Sequence, residues 1–153
     1  MGLSTDGQIC YGVKFDEGFE FPWGDDDFDE WWLEVNNFVP SKILYDERGE
    51  YPNGVKPSAE DIKAYFEERH NFIEKIGKPP LSLVNYCSGD YPSYILAVPA
   101  TEKTANRGYP TLLTKEDFNV DEDQREALLA FCDKYGIEYS PDAIGWWLSS
   151  YMG

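Results

Sequence analysis

The chain has 153 residues, 42% hydrophobic and 16% aromatic, with 29 acidic and 13 basic side chains and a formal net charge of −16. The aromatic content excludes an intrinsically disordered chain, and the length fits a single domain, 1–153, with a core of its own. The charge excludes direct binding of nucleic acid or anionic membranes, which rely on Lys and Arg; it favours basic partners, above all at low salt.

The first element is "QICYGVKF", where Ile9, Tyr11, Val13 and Phe15 alternate with smaller or polar residues. That period predicts a strand with one buried face. Next comes "FEFPWGDDDFDEWWLEV", which holds seven carboxylates, three tryptophans and no basic residue. Within it, "DDDFDEWWLEVNNF" predicts a short helix capped by an Asp among 25 to 27. Phe28, Trp31, Trp32 and Val35 then share one face, with Glu30 and Glu34 on another. "KILYDERGEYPNG" reads as a small hairpin or extended loop around Arg48 and Gly49 that closes at Pro52-Asn53-Gly54.

"KPSAEDIKAYFEERHNFIEKIGKPP" carries the strongest helix pattern. Ser58 is the N-cap, Glu60 and Asp61 fill the first turn, and Gly77 and Pro79 stop the helix. Its stripe is Ile62, Phe66, Arg69, Ile73 and Ile76, with Tyr65 and Phe72 beside it. "LSLVNYCS" and "SYILAV" flank the turn formers "GDYP" as a hairpin whose second arm is a central strand. "ATEKTANRGYPTLLTKEDFNV" reads as irregular. "DEDQREALLAFCDKYG" is a further helix, capped by Asp121 and ended by Gly136, with Leu128, Leu129, Cys132 and Tyr135 inward. The tail "IGWWLSSYMG" reads better as an edge strand than as a helix.

The order is β–(insert)–α–β–β–α–β. It predicts an α+β fold of the ferredoxin-like βαββαβ kind, one antiparallel sheet with two main helices on one face. Residues 16–57 are too long for a plain connection and form an aromatic and acidic elaboration after the first strand.

Catalytic signatures are absent. The one histidine, His70, lies in the charged helix segment "EERHN" and reads as a surface position. Asp25, Asp27 and Asp29 start like an EF-hand loop, but Glu30 stands where the turn glycine belongs and Asn36 where the closing Glu belongs. Asp61-Ile62-Lys63 has the D-x-K spacing of metal nucleases but falls inside a capped helix. No P-loop, G-x-G-x-x-G or G-x-S-x-G pattern occurs. Cys10, Cys87 and Cys132 are widely spaced with no CxxC pair, which argues against a disulfide framework and a structural zinc. The expectation is a non-enzymatic protein without cofactor or metal. No apolar run reaches the ~18 residues of a membrane span, and the first ten residues lack a signal segment, so the cytoplasm is the expected location. The MG start with Thr5 meets the myristoylation pattern formally, without a second basic anchor.

The charge is patterned. Residues 1–34 hold ten acidic side chains and one basic, Lys14. The candidate partner-binding residues are Asp25, Asp26, Asp27, Asp29, Glu30 and Glu34, extended by Asp121, Glu122, Asp123 and Glu126. Carboxylates interleaved with aromatics suit docking to a basic protein, with aromatics at the centre and charges steering approach. Trp23, Trp31 and Trp32 also read as core beneath an acidic face. Proteins that bind nucleic acid are the largest class with matching Lys and Arg arrays, so a DNA mimic is one form this function takes.

The segments "STDGQICYGVKFDEGFEFPW" and "WWLSSYMG" resemble small proteins encoded by phages and prophages. In size and charge the chain is also similar to phage inhibitors of host defence, including acidic anti-CRISPR and anti-restriction proteins. That resemblance implies a basic host protein as partner, a nucleic-acid-handling defence enzyme in the host cytoplasm, and carries over no individual residue. Two other readings stand beside it. One is a phage structural or assembly protein that self-associates as a homodimer through "WWLSSY". The other is a small-molecule or metal binder, or enzyme, with its site in 16–57.

Overall fold

The computed structural model describes residues 5–24, 27–45, 50–88 and 92–152. In chain order its elements are strand β1 (Thr5–Lys14), helix α1 (Phe28–Val35), helix α2 (Ala59–Ile76), strands β2 (Ser82–Ser88), β3 (Pro92–Ala97) and β4 (Lys103–Ala105), helix α3 (Glu122–Lys134) and strand β5 (Ile144–Met152). The chain divides into two compact units, one of Met1–Gly24 with Pro80–Gly153 and one of Asp25–Pro79. Among the described residues, no helix is long and apolar enough to cross a membrane.

The first unit carries the sheet. The α+β class holds, but there are five strands, in the order β3-β2-β5-β1-β4, with a further β3–β1 pairing. The fifth strand and the β2–β5 contact depart from the four-stranded ferredoxin-like sheet expected. β1 pairs antiparallel with β3, β4 and β5, and β2 meets β5 in parallel through Cys87–Tyr151 and Ser88–Met152 only. The extra strand, β4, lies in the stretch read as irregular; three residues are too few to show a period.

β1 organises the unit. One edge pairs with β5 from Thr5 to Val13; the other pairs with β4 at residues 7–9 and with β3 at residues 12–14. Between these, the Tyr11 N–H donates to the Thr101 hydroxyl at 2.9 Å, and Thr101 donates to the Val98 carbonyl at 2.6 Å. Thr101 is 3% exposed, so a buried hydroxyl satisfies a strand N–H that no ladder reaches. Gly12 stands where β3 comes closest: a Cβ there would lie 2.2 Å from the Leu96 carbonyl oxygen. A twisted sheet that pairs β3 with both β2 and β1 curls upon itself, and the closely approaching backbones leave no room for a side chain at that point.

The alternation predicts one buried face for β1; the strand buries both. Successive residues point to opposite faces, so the register places Cys10, Val84, Ile95, Ala97 and Trp147 together on the concave side, where they form one apolar cluster. On the convex side Val13, Leu96 and Val98 are completely buried, and Arg125 of α3 donates to the Tyr11 hydroxyl at 3.0 Å. α3 buries Leu128, Phe131 and Cys132; Leu129 and Tyr135, expected inward, are half-buried. The aromatics after β1 are core as well. Phe15 contacts Phe19 and Phe21, and Phe21 stacks on Trp23 with centroids 4.5 Å apart and rings 8° from parallel.

The second unit is built from α1, α2 and the segment between them. Asp27 caps α1 by accepting from the Asp29 N–H at 2.8 Å. α2 starts with a reciprocal capping box of Ser58 and Asp61 and ends at Gly77, whose φ of 83° is left-handed backbone that favours glycine. α1 buries Trp31 and Leu33, while Val35, expected inward, is 37% exposed. Trp32 is half-buried, and its indole N–H donates to the Gly77 carbonyl at 3.2 Å. Phe38 packs its ring against Tyr65 and Phe72. The hairpin expected around Arg48 and Gly49 lies outside the described residues; Pro52–Gly54 forms a 3-10 turn.

Candidate functional site

The predicted acidic residues separate by role. Asp25 and Asp26 lie outside the described residues. Asp27 is spent on the α1 cap, and Glu30 accepts a hydrogen bond from Arg69 of α2. Asp121 caps α3 through the N–H groups of Asp123 and Gln124, at 3.0 and 3.3 Å, and Glu122 pairs with Arg125 at 2.7 Å. The remaining four, Asp29, Glu34, Asp123 and Glu126, are exposed and have no ion-pair partner among the described residues. Carboxylates in the first turns of α1 and α3 face the positive ends of those helices, so part of the acidic pattern is helix-start chemistry. The 27–34 cluster belongs to the second unit and the 121–126 cluster to the first.

Two tryptophans of the opening segment are core: Trp23 is 5% exposed and Trp31 8%. Part of the exposed aromatic and aliphatic surface of the second unit gathers elsewhere, in a cleft of about 460 Å³ between the 40–45 segment and α2. Ile43, Tyr45 and Phe66, all more than half exposed, line it together with Ile62, Tyr65 and the Glu30–Arg69 pair. Two polar clamps hold the 40–45 segment in place. Glu68 accepts from the Ser41 N–H at 2.9 Å and from its hydroxyl, and Lys42 pairs with Asp61 at 2.7 Å. Ser41 thereby lowers the Glu68 pKa. The Lys42 and Ser58 contacts hold the Asp61 carboxyl down at about 2. Burial, with the Glu30 carboxylate, raises the Tyr65 hydroxyl.

Sequence reasoning assigns Phe66 to the core stripe of α2 and leaves Ile43 and Tyr45 in a hairpin or extended loop. The missed signal is the run Ile43-Leu44-Tyr45, in which Leu44 is buried at 4% exposure and its neighbours project outward.

His70 is a surface residue of α2 beside Glu74, 3.4 Å away. Lys63 pairs with Glu67 at 3.7 Å, and Asp61 is occupied by its cap and by Lys42. Among the described residues, no group of three or more His, Cys, Asp or Glu is placed to hold a metal ion. All three cysteines are free. Burial pushes the thiols of Cys10 and Cys132 up to about 12 and about 11, so neither is a ready nucleophile. No family model, curated protein or solved structure matches the chain.

Proposed function

We propose that this chain is a non-catalytic binding protein that docks on a basic partner protein through its second unit. The observation that carries this reading is the cleft of Ile43, Tyr45 and Phe66, in a unit whose Asp29 and Glu34 are exposed with no ion-pair partner among the described residues. Apolar and aromatic side chains at an interface centre supply affinity, and surrounding carboxylates steer and select the partner. A partner of matching chemistry presents an apolar anchor flanked by Lys or Arg. The phage resemblance and the net charge of −16 support a nucleic-acid-handling host defence protein in that role, inhibited by occupation of its phosphate-binding surface in the host cytoplasm.

The test reverses two carboxylates that make no cap or ion-pair contact among the described residues. Asp29→Lys with Glu34→Lys leaves the α1 cap and the Arg69 pair in place. The wild-type chain, used as bait in a host lysate, is expected to retain a basic nucleic-acid-binding protein that elutes with salt and loses its DNA affinity when the chain is added. The double variant is expected to retain none of it. Equal capture by both forms would overturn the docking assignment.

Self-association is the second reading, favoured by one observation: Leu148 of β5 is 81% exposed, on a strand that β2 covers only at Tyr151 and Met152. A dimer mass in solution that persists at high salt would support it.

A further inference from the structure

The concave side of the sheet in the first unit opens into a cavity of about 340 Å³ that the docking reading does not use. Small-molecule sites have volumes of roughly 300–1,000 Å³ and recur at the mouths of curled sheets. Its lining comes from three separate parts of the chain: Lys14 of β1, Tyr86 and Cys87 of β2, and Trp147, Ser149 and Ser150 of β5, over a floor that includes the buried Ile95.

Among the described residues the polar lining is donor-rich and contains no carboxylate, in a chain with more than twice as many acids as bases. Lys14 is the only basic residue among the first 34. Its ammonium pairs with Asp16, which is 89% exposed, and lies 5.7 Å from the Trp147 ring centroid. The ammonium also donates to the Tyr86 hydroxyl. An ammonium has three N–H donors, so one remains, and a pair as open to water as that with Asp16 is weak, which leaves Lys14 capacity for a second anion. Tyr86 has donated its hydroxyl to the Phe15 carbonyl at 2.6 Å. The Trp147 N–H is shared between the Gly12 and Ala143 carbonyls, so the indole offers only its face. The Ser149 hydroxyl is buried and has no hydrogen-bond partner among the described residues. A buried hydroxyl without a partner is uncommon, and rotation about χ1 moves it between staggered wells, where an acceptor in the cavity can satisfy it. At the rim, Cys87 has a φ of 78°, a left-handed conformation rare outside glycine and concentrated at functional sites.

We propose that this cavity binds a small organic carboxylate. The carboxylate accepts from Lys14 and Ser149, and the apolar body of the ligand lies on the Trp147 ring and Ile95. Cys87 stands at the entrance and reports on occupancy.

The test uses that thiol. Iodoacetate and iodoacetamide alkylate by the same step: the Cys87 thiolate displaces iodide to form an S–CH₂ bond, and the thiol proton goes to solvent. Only iodoacetate carries the carboxylate. Rates at Cys87 are read by peptide mass spectrometry at physiological ionic strength, with glutathione as the free-thiol reference. The iodoacetate-to-iodoacetamide ratio is expected to exceed that of glutathione about tenfold, the scale of one charge-assisted hydrogen bond. The net negative charge works against this result, so a raised ratio identifies the local site. Lys14→Met keeps the side-chain stem and should return the ratio to that of glutathione; Ser149→Ala, read the same way, should lower it and covers the case in which the lysine variant does not fold. Benzoate should slow alkylation and shift the Trp147 indole N–H resonance, and benzyl alcohol should do neither. A ratio equal to or below that of glutathione, or equal effects of benzoate and benzyl alcohol, would overturn the proposal.

Discussion

The helices α3 and α2 follow similar sequence rules and end in different environments. α3 has 13 residues and completely buries Leu128 and Cys132. α2 has 18 residues, a full capping box and none that is buried. Its apolar stripe is half-covered, and Phe66 is 55% exposed. The first unit therefore draws its stability from close-packed side chains, whose removal leaves cavities. The second relies more on caps, on the Ser41 and Lys42 clamps, and on a partly wet apolar face. Apolar surface left uncovered along α2, where α3 buries its own, marks where a partner would gain by binding.

Truncation of side chains tests this difference most strongly. Leu128→Ala is expected to cost about 2–5 kcal/mol in a urea titration, as buried leucines do, whereas Phe66→Ala should change stability by about 0.5 kcal/mol or less. Equal losses would show that α2 is packed as tightly as α3. Gly12→Ala is the next largest effect. The added methyl meets the Leu96 carbonyl and the Ala97 Cα, so the β1–β3 pairing must shift, at about 1–3 kcal/mol. Amide exchange should localise the damage to residues 12–14 and 95–97 and leave α2 unchanged.

The smallest effect concerns acid. The Asp61 carboxyl is held at about 2 against an ordinary value of 3.8, so its ionised form is favoured by folding. Its contribution is complete above pH ~3.8 and is lost as pH falls through about 2. The first turn of α2, followed by amide chemical shifts, should loosen across that window in the wild type. Asp61→Asn should remove that dependence, while the first turn of α3 keeps its own response.

Local features of this protein were legible in its sequence. The caps Ser58 and Asp121, the stops Gly77 and Gly136, an Asp capping α1 and the strand character of the tail all appear in the structure where the residues indicate. Each depends on backbone groups within about one helical turn or on simple alternation. The candidate acids were less legible, because one carboxylate serves equally as a cap, an ion-pair partner or a docking charge. Asp27 and Asp121 proved to be caps, Glu30 and Glu122 ion-pair partners, and Asp29 and Asp123 first-turn carboxylates, so that among the described residues Glu34 and Glu126 alone have none of these roles.

The sequence by itself determined the α+β class, the positions of most elements and the strongly acidic surface. Only the tertiary structure decided the strand order, the burial of Cys10 and Leu33, and the two concave surfaces. The three-residue β4 carries no period of its own and exists through its pairing with residues 7–9 of β1. The cavity unites Lys14, Cys87 and Trp147, which no local pattern connects. Caps and periodicity act between near neighbours, whereas strand pairing and cavity walls depend on which distant segments the sheet brings together.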